Sequence, residues 1–594
     1  MHKTFYFFLI FLFVVTIYCE DECSEIKDPL FKKQFHIKTE SKYKTNIDKA
    51  LYACNTGEGV TVGILDSGVF NTHDDLEGNY EQEGSSDYCT GESSFGEASG
   101  TINAGLISSG MNNEFCGIGV APKSKYVSRR VLCENITKES LVKALSEDVN
   151  FEISSNSWTL SDFPFHTQTE NYCDYDEELY NALEVGTTEG RGGKGTIYVF
   201  PAGGDEGNVN SNLCFPTNQL HSIVVNSIPA CDSITKDSHS GASIVVSVPG
   251  PVSDVDGCED QFITSTTNEN NQCIEDSTSR KSSAAILSGV IALILENNPQ
   301  LYWHDVQSIL IESANRGILQ TTDNEEEWIT NSLGIQWHPN YGFGMVDAEK
   351  AISLANVWKT ELKTETVTYE NDYGLLSVPK DSNFEHFVYG GVELEICVHN
   401  YYLQYFTFSL VSPSGTRIPF HYDFKGYQFF LIKNVFTFKG FYLEPIEGEW
   451  KLMMDNLNRV LDVCSFKLKF HTVVNQTLPS QTPTPVPSSS PPTEPSPSAS
   501  SSPSASSSPS TSASPSPSAS APTEPSTTPE PSPSASVSAS ASPLPSTSET
   551  EPEPSPSASP EPLISRKSDS PGSLPEFHFT LFLLLAASLI FMLF

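Results

Sequence analysis

Val60-Thr61-Val62-Gly63-Ile64-Leu65-Asp66-Ser67-Gly68 is the stretch whose reading decides the fold. Val60, Val62, Ile64 and Leu65 make an apolar run of strand length, as expected of a strand buried on both faces of a parallel sheet. The turn Gly57-Glu58-Gly59 precedes it, and it ends on a carboxylate, Asp66. In open α/β sheets that end of a strand is where sites are built. Working outward, similar strands are expected at Tyr126–Val131, Thr196–Phe200 and Ser222–Val225. Helical stretches at Glu139–Leu145, Glu177–Glu184 and Ala284–Glu296 lie between or after them. Strands alternating with helices predict an α/β domain with a mainly parallel sheet over residues 28–360.

Beyond it the character changes. Residues 365–473 carry strand-like runs at Phe387–Tyr389, Val392–Cys397, Phe406–Leu410, Phe429–Phe436 and Phe466–Phe470, with Ser412-Pro413-Ser414-Gly415 as a turn. This reads as an all-β sandwich. Residues 476–562 are Pro, Ser, Thr and Ala with scattered Glu. They hold almost no large apolar residue and read as a disordered, O-glycosylated stalk. Within residues 563–594, small residues around Ser568 to Ser573 precede the apolar tail Phe579 to Phe594. That is the pattern of a GPI-attachment signal, with a C-terminal membrane span as the alternative. At the other end, Phe5 to Tyr18 is an apolar run of signal-peptide length, giving a signal over 1–19.

The chain has 34 Lys and Arg against 74 Asp and Glu, a net charge of −40. Nucleic acid is not an expected partner, because phosphate binding requires a basic patch. Of 13 Cys, Cys19 falls in the signal; the even remainder reads as disulfides in an oxidising compartment. Asn135 and Asn475 head glycosylation triplets compatible with that route. The expected destination is the extracellular face of the plasma membrane, reached through the secretory pathway.

The Asp66 segment continues as Asn71-Thr72-His73-Asp74-Asp75-Leu76, and it resembles the catalytic-Asp segment of the kexin/furin branch of subtilisin-like serine proteases. Other family landmarks are Asn112 to Ala121, Ser155-Asn156-Ser157-Trp158 and Tyr341-Gly342-Phe343-Gly344-Met345-Val346-Asp347-Ala348. Leu410-Val411-Ser412-Pro413-Ser414-Gly415-Thr416 resembles the family's P domain. The resemblance implies a subtilisin-like three-layer domain followed by a jelly-roll sandwich.

It also shows departures. Asp66 stands where the family has its catalytic Asp, and His73 matches a non-catalytic His. Ser99, in Ser99-Gly100-Thr101, occupies the position of the general-base His. Gly204 occupies that of the oxyanion Asn, followed by Asp205. Lys281, in Ser279-Arg280-Lys281-Ser282-Ser283-Ala284, falls on the nucleophilic Ser. Without a base to orient, Asp66 has no partner in that chemistry, so the expectation is a pseudoprotease. Lys281 is expected to fill the space left by the His and pair with Asp66. The alternative is an unconventional serine endopeptidase in which Lys281 activates Ser282 or Ser283. No counterpart of the family's prodomain is expected, since only Glu20 to Lys27 lie between the expected signal and Asp28.

What the resemblance implies is retained elsewhere. A structural Ca2+ site would use the carboxylates of Asp28 and Asp75, the amide of Asn113 and carbonyls of Gly110, Phe115 and Gly117. Asp162 is read as a remnant of a second calcium site near the specificity pocket. Disulfides would join Cys116 with Cys273, Cys214 with Cys231 and Cys397 with Cys464. The other six Cys match no family pairing. The expected partner is a peptide or protein ligand held in the former substrate cleft without being cut, with the membrane reached through the C-terminal anchor.

Overall fold

A computed structural model of the chain describes residues 23–37, 44–89, 98–147, 149–165, 176–204, 210–229, 239–251, 261–268, 271–317, 328–360, 362–371, 374–381, 384–398, 407–421, 432–454, 459–460, 463 and 465–474. The segments expected to be a signal peptide, a stalk and a C-terminal anchor, with Asp205, Asn475, Cys231 and Cys464, lie outside them. All described residues belong to one unit, which ends at Val486.

The sheet at its centre has seven strands: β1 (Thr61–Asp66), β2 (Ser86–Asp87), β3 (Lys125–Arg130), β4 (Ile153–Asn156), β5 (Ile197–Pro201), β6 (Ser222–Pro229) and β7 (Ile244–Gly250). Their order is β2-β3-β1-β4-β5-β6-β7, and every pairing is parallel. From Val62 onward β1 is buried on both faces, as its apolar run predicts. Val62 and Ile64 face one hydrophobic cluster and Leu65 another. Gly63 is required here: a Cβ would stand 2.7 Å from the Phe151 ring.

Helices cover both faces. α1 (Ile47–Tyr52), α2 (Ser99–Ser108), α5 (Ser283–Asn297), α6 (Trp303–Ser313) and α7 (Ala348–Ala355) contribute to the first cluster. α3 (Lys138–Ser146) and α4 (Glu177–Gly193) contribute to the second. α5 is buried almost all round, as a uniformly apolar sequence demands. α3 starts where the Thr137 hydroxyl accepts the Ser140 N–H at 3.2 Å. α4 runs well past the expected Glu184 and ends in a kink at Gly190 to Gly192, where Arg191 takes a left-handed φ of 51°. The three-layer α/β expectation holds.

Two short antiparallel pairs follow, β8 (Ile263–Thr266) with β9 (Cys273–Ser277) and β10 (Ile329–Thr330) with β11 (Gln336–Trp337). The rest of the unit is an antiparallel β domain. One sheet is β12 (Thr364–Asn371), β20 (Ser465–Val474), β14 (His386–Val398) and β17 (Ile432–Phe438). The other is β13 (Leu375–Val378), β18 (Gly448–Met454), β15 (Thr407–Val411) and β16 (Arg417–His421), with β19 (Arg459–Val460) beside β18. The two expected runs at Phe387–Tyr389 and Val392–Cys397 form one strand, β14, with a bulge between Val388 and Gly391.

The first hydrophobic cluster runs without a break from α2 and α5 into this β domain, through Trp303, Trp337, Phe438 and Trp450. The Lys439 ammonium is buried at the junction. It donates to the carbonyls of Leu220 (2.7 Å) and Gly390 (2.9 Å) and to Gln307 Oε1 (2.8 Å).

Three disulfides lie wholly among described residues. Cys116 with Cys273 is the pair the resemblance implies. Cys23 with Cys54 and Cys89 with Cys133 are additional. Cys214 is also disulfide-bonded.

Candidate active site

β1 delivers Asp66 to the carboxyl end of the sheet, where β3 and β4 flank it. α2 begins beside it, because Gly100 lets the helix approach the preceding turn. A Cβ at Gly100 would stand 2.2 Å from the Gly68 carbonyl oxygen. This contact puts the Ser99 hydroxyl against Asp66, and Ser99 donates to Asp66 Oδ1. Four residues on, one helical turn along the same face, the Asn103 amide donates to Oδ2 at 2.9 Å. The Ser67 N–H donates to Oδ1 at 2.7 Å. Burial pushes the Asp66 carboxyl up, and these three donors oppose that shift.

Asp66 is therefore satisfied by hydroxyl, amide and backbone, with no imidazole in its first ring of contacts. Asn103 has no role in the sequence expectations. Its signal was available, as a polar residue four positions after Ser99 in an otherwise apolar helix.

Lys281 does not go where expected. Its ammonium pairs with Asp162 at 2.9 Å, and both side chains are partly exposed. Asp66 feels Lys281 only as a more distant positive charge. The expectation of a Lys281–Asp66 pair is corrected, for a physical reason: Asp66 already has three donors, whereas Asp162 offers a free oxygen. Asp162 Oδ2 is engaged in capping its own short turn, accepting the Thr159 N–H at 2.7 Å. Oδ1 is the atom that Lys281 takes. The pair ties the start of α5 to the loop after β4.

Ser282 is buried ahead of α5 and Ser283 opens that helix. The Ser283 hydroxyl has no hydrogen-bond partner. Gly204 sits after β5; its carbonyl accepts a 2.7 Å hydrogen bond from His239 Nε2, and it has no side chain to donate. Asn156, at the end of β4, spends its amide hydrogens on the Ser154 carbonyl (2.9 Å), the Ser154 hydroxyl and the Val199 carbonyl.

The expected metal residues also gather. Asp28 is 4 % exposed and Asp75 is 2 % exposed. Asp28 accepts the N–H groups of Asn112 (2.7 Å) and Asn113 (3.2 Å). Asp75 Oδ1 accepts the Asn113 side-chain amide at 2.6 Å, and Oδ2 is buried with no partner. Burial, with a further contribution from Asp28 nearby, pushes the Asp75 carboxyl up to about 7. Asn112, Glu114 and Cys116 all take left-handed φ, so the loop is wound tightly around the two carboxylates. His73 holds the Asp75 segment: its Nδ1 accepts the Asp75 N–H at 3.2 Å and its Nε2 donates to the Gln272 carbonyl at 2.9 Å. Among the described residues no group of three His, Cys, Asp or Glu forms a metal cluster. The donor set is two carboxylates with amide and carbonyl oxygens, and an orphaned buried carboxylate oxygen fits a hard cation such as calcium.

A seven-stranded parallel sheet in this order, with Asp66, α2 and α5 converging at its carboxyl edge, defines the subtilisin-like class. Residues 57–344 match the family model described as the subtilase family. Kexin of Saccharomyces cerevisiae is 34 % identical over 357 residues, covering 57 % of this chain and 41 % of kexin. Furin of Bos taurus is 27 % identical and covers 78 % of this chain and 60 % of furin. Proprotein convertase subtilisin/kexin type 4 of Mus musculus is 32 % identical, with 56 % and 50 % covered. A serine protease of Aeromonas sobria shares the fold, with a TM-score of 0.63 at 17 % identity over 77 % of this chain and 97 % of that one. Residues 57–344 form a subtilase-family domain, similar to the corresponding parts of kexin and furin. The chain spans about two fifths to three fifths of the length of these curated relatives.

Proposed function

We propose that this protein is a non-catalytic, surface-displayed member of its family that works by binding. The observation that carries the reading is the Ser99–Asp66 contact, in which the general-base position holds a hydroxyl hydrogen-bonded to the carboxylate. A hydroxyl cannot take a proton from a nucleophile near neutral pH. The remaining positions agree with this. Lys281 is held by Asp162, and Gly204 brings no amide to an oxyanion. Loss of one triad member costs several powers of ten in rate, and residual catalysis comes from the oxyanion hole and binding alone.

A serine–lysine arrangement is not favoured. Of the two serines it could use, Ser283 has a hydroxyl with no hydrogen-bond partner, and the Lys281 ammonium is paired with Asp162. Calcium bound by Asp28, Asp75, Asn113 and the nearby carbonyls would neutralise the paired carboxylates and stiffen the loop. The disulfides and the terminal sequence patterns support a secretory route and an extracellular position. The ligand class is a peptide or protein laid along the former groove.

The test is turnover of fluorogenic peptides ending in paired basic residues, measured on the full chain beside an Asp66→Ala variant. The expected result is the same background rate for both. A rate well above background that Asp66→Ala abolishes overturns the reading.

A further inference from the structure

Three imidazoles and an indole meet where the α/β domain touches the β domain. His221 precedes β6, His304 lies on α6 and His471 lies on β20. The Trp303 ring sits between them, 5.5 Å from His221 and 4.9 Å from His471, centroid to centroid. His304 and His471 are 5.0 Å apart, and His304 also contacts Tyr389 of β14 at 5.4 Å. The packing is tight, since a Cβ on Gly390 would stand 2.7 Å from His471 Nδ1 and 2.9 Å from the Trp303 ring.

All three rings are buried, and the Nδ1 atom of each has no hydrogen-bond partner. A buried ring whose Nδ1 has no acceptor favours the neutral form, because protonation would place a poorly compensated charge there. The charges facing the rings do not invite protons. Lys439, at the end of β17, and Lys469, on β20, act on both His221 and His471, and His471 itself acts on His304. Lys469 is paired with Glu184 of α4 at 3.3 Å, and Glu393 of β14 acts on both lysines. On α6, Asp305 is engaged by Tyr389 and Trp358, each at 3.2 Å, and Glu312 by the Tyr442 hydroxyl at 3.0 Å. Tyr302, the residue that caps α6, stacks on His304.

We propose that the contact between the two domains is an acid-released latch, built from His221, His304 and His471 around Trp303. Burial holds His221 and His304 well below the ordinary histidine range and His471 down to about 3; the two lysines add to this at His221 and His471, and His471 adds to it at His304. In the open state the same rings meet water and return to about 6.5. The sign follows from proton linkage. The closed form binds fewer protons than the open form between pH 6.5 and the depressed values, so its advantage is complete above 6.5 and lost as pH falls. Each ring raises the opening constant by at most about tenfold per pH unit in that window, and the three act together. Lys439, held down to about 7 by burial, is cationic throughout that acid window and adds repulsion. The latch is independent of any catalytic assignment.

Hydrogen exchange on the full-length chain, corrected for the intrinsic pH dependence of exchange, tests it. Peptides from α6 and β14 report the junction, and peptides from β1 and β4 report the α/β core. The latch predicts loss of junction protection between pH 7 and pH 5 with a slope above one proton, while the core stays protected. His304→Phe and His471→Asn should each reduce that slope. Should either variant fail to fold, the slope of the unmodified chain decides alone. Junction protection that does not change with pH overturns the proposal, and so does loss of junction and core protection together.

Discussion

Replacing Cys116 and Cys273 together by alanine is expected to destabilise the globular unit by about 5 kcal/mol, among the largest effects of any paired substitution here. The bond closes a loop of 157 residues, and the chain-entropy cost of leaving so long a loop open in the unfolded state sets that figure. It also joins two functional neighbourhoods. Cys116 lies in the tightly wound loop that carries Asn113, and Cys273 opens β9, next to Gln272, whose carbonyl receives His73. The expected measurement is a fall in the denaturant midpoint with a weaker response to calcium. A midpoint unchanged within error would mean that the loop is held by packing alone. The Cys23–Cys54 bond closes only 31 residues, so its removal is expected to cost less, about 3.7 kcal/mol on the same reasoning.

Calcium removal at pH 8 is the second large effect, and it should shrink at pH 5. Asp75 has a carboxyl raised from 3.8 to about 7 by burial, with Asp28 beside it also raised. Between about pH 4 and pH 7 the metal-free folded state holds a proton that the unfolded state has released. Metal-free stability therefore falls as pH rises through that window and stays low above 7. Calcium replaces the proton, so its affinity should weaken about tenfold per pH unit below 7. With free calcium a hundredfold above Kd, stabilisation is about 2.7 kcal/mol. That corresponds to roughly 5 °C in the melting temperature of a large domain. A chelator is expected to lower the melting temperature at pH 8 and to change it little at pH 5. Asp75→Asn should remove most of that pH dependence. Equal chelator effects at both pH values would contradict the assignment of Asp75 as a ligand.

Much of the frame was legible in the sequence because burial on both faces leaves a plain mark. β1, β5 and β6 carry apolar runs, and α5 is apolar almost throughout. The β domain was harder. β12 reads Thr-Glu-Thr-Val-Thr-Tyr-Glu-Asn and alternates exposed with half-buried positions, so no apolar run announces it. The same holds for β18, whose Trp450, Leu452 and Met454 face the core between Glu449, Lys451 and Met453.

In the site, the position of Asp66 followed from its strand, and Ser99 from the register of α2. The partner of Lys281 did not follow. Which carboxylate accepts a lysine depends on which one still has a free oxygen, and that depends on Asn103 and Thr159, whose hydrogen bonds only folding reveals. Cys23–Cys54 and Cys89–Cys133 were closed to sequence reading for a similar reason. Pairing depends on which loops meet, and even spacing among many cysteines allows many connectivities. The imidazole cluster was also invisible, because His221, His304 and His471 lie far apart along the chain and meet only across the domain junction.

The most direct measurement of the central claim is labelling of the full chain with a fluorophosphonate, which reacts only with a serine activated as a nucleophile. It should be run beside Lys281→Ala, with a folded, calcium-responsive protein confirmed in the same preparation. The account predicts no labelling in either. Labelling at Ser282, Ser283 or Ser99 that disappears in Lys281→Ala would contradict it and establish a working serine–lysine site.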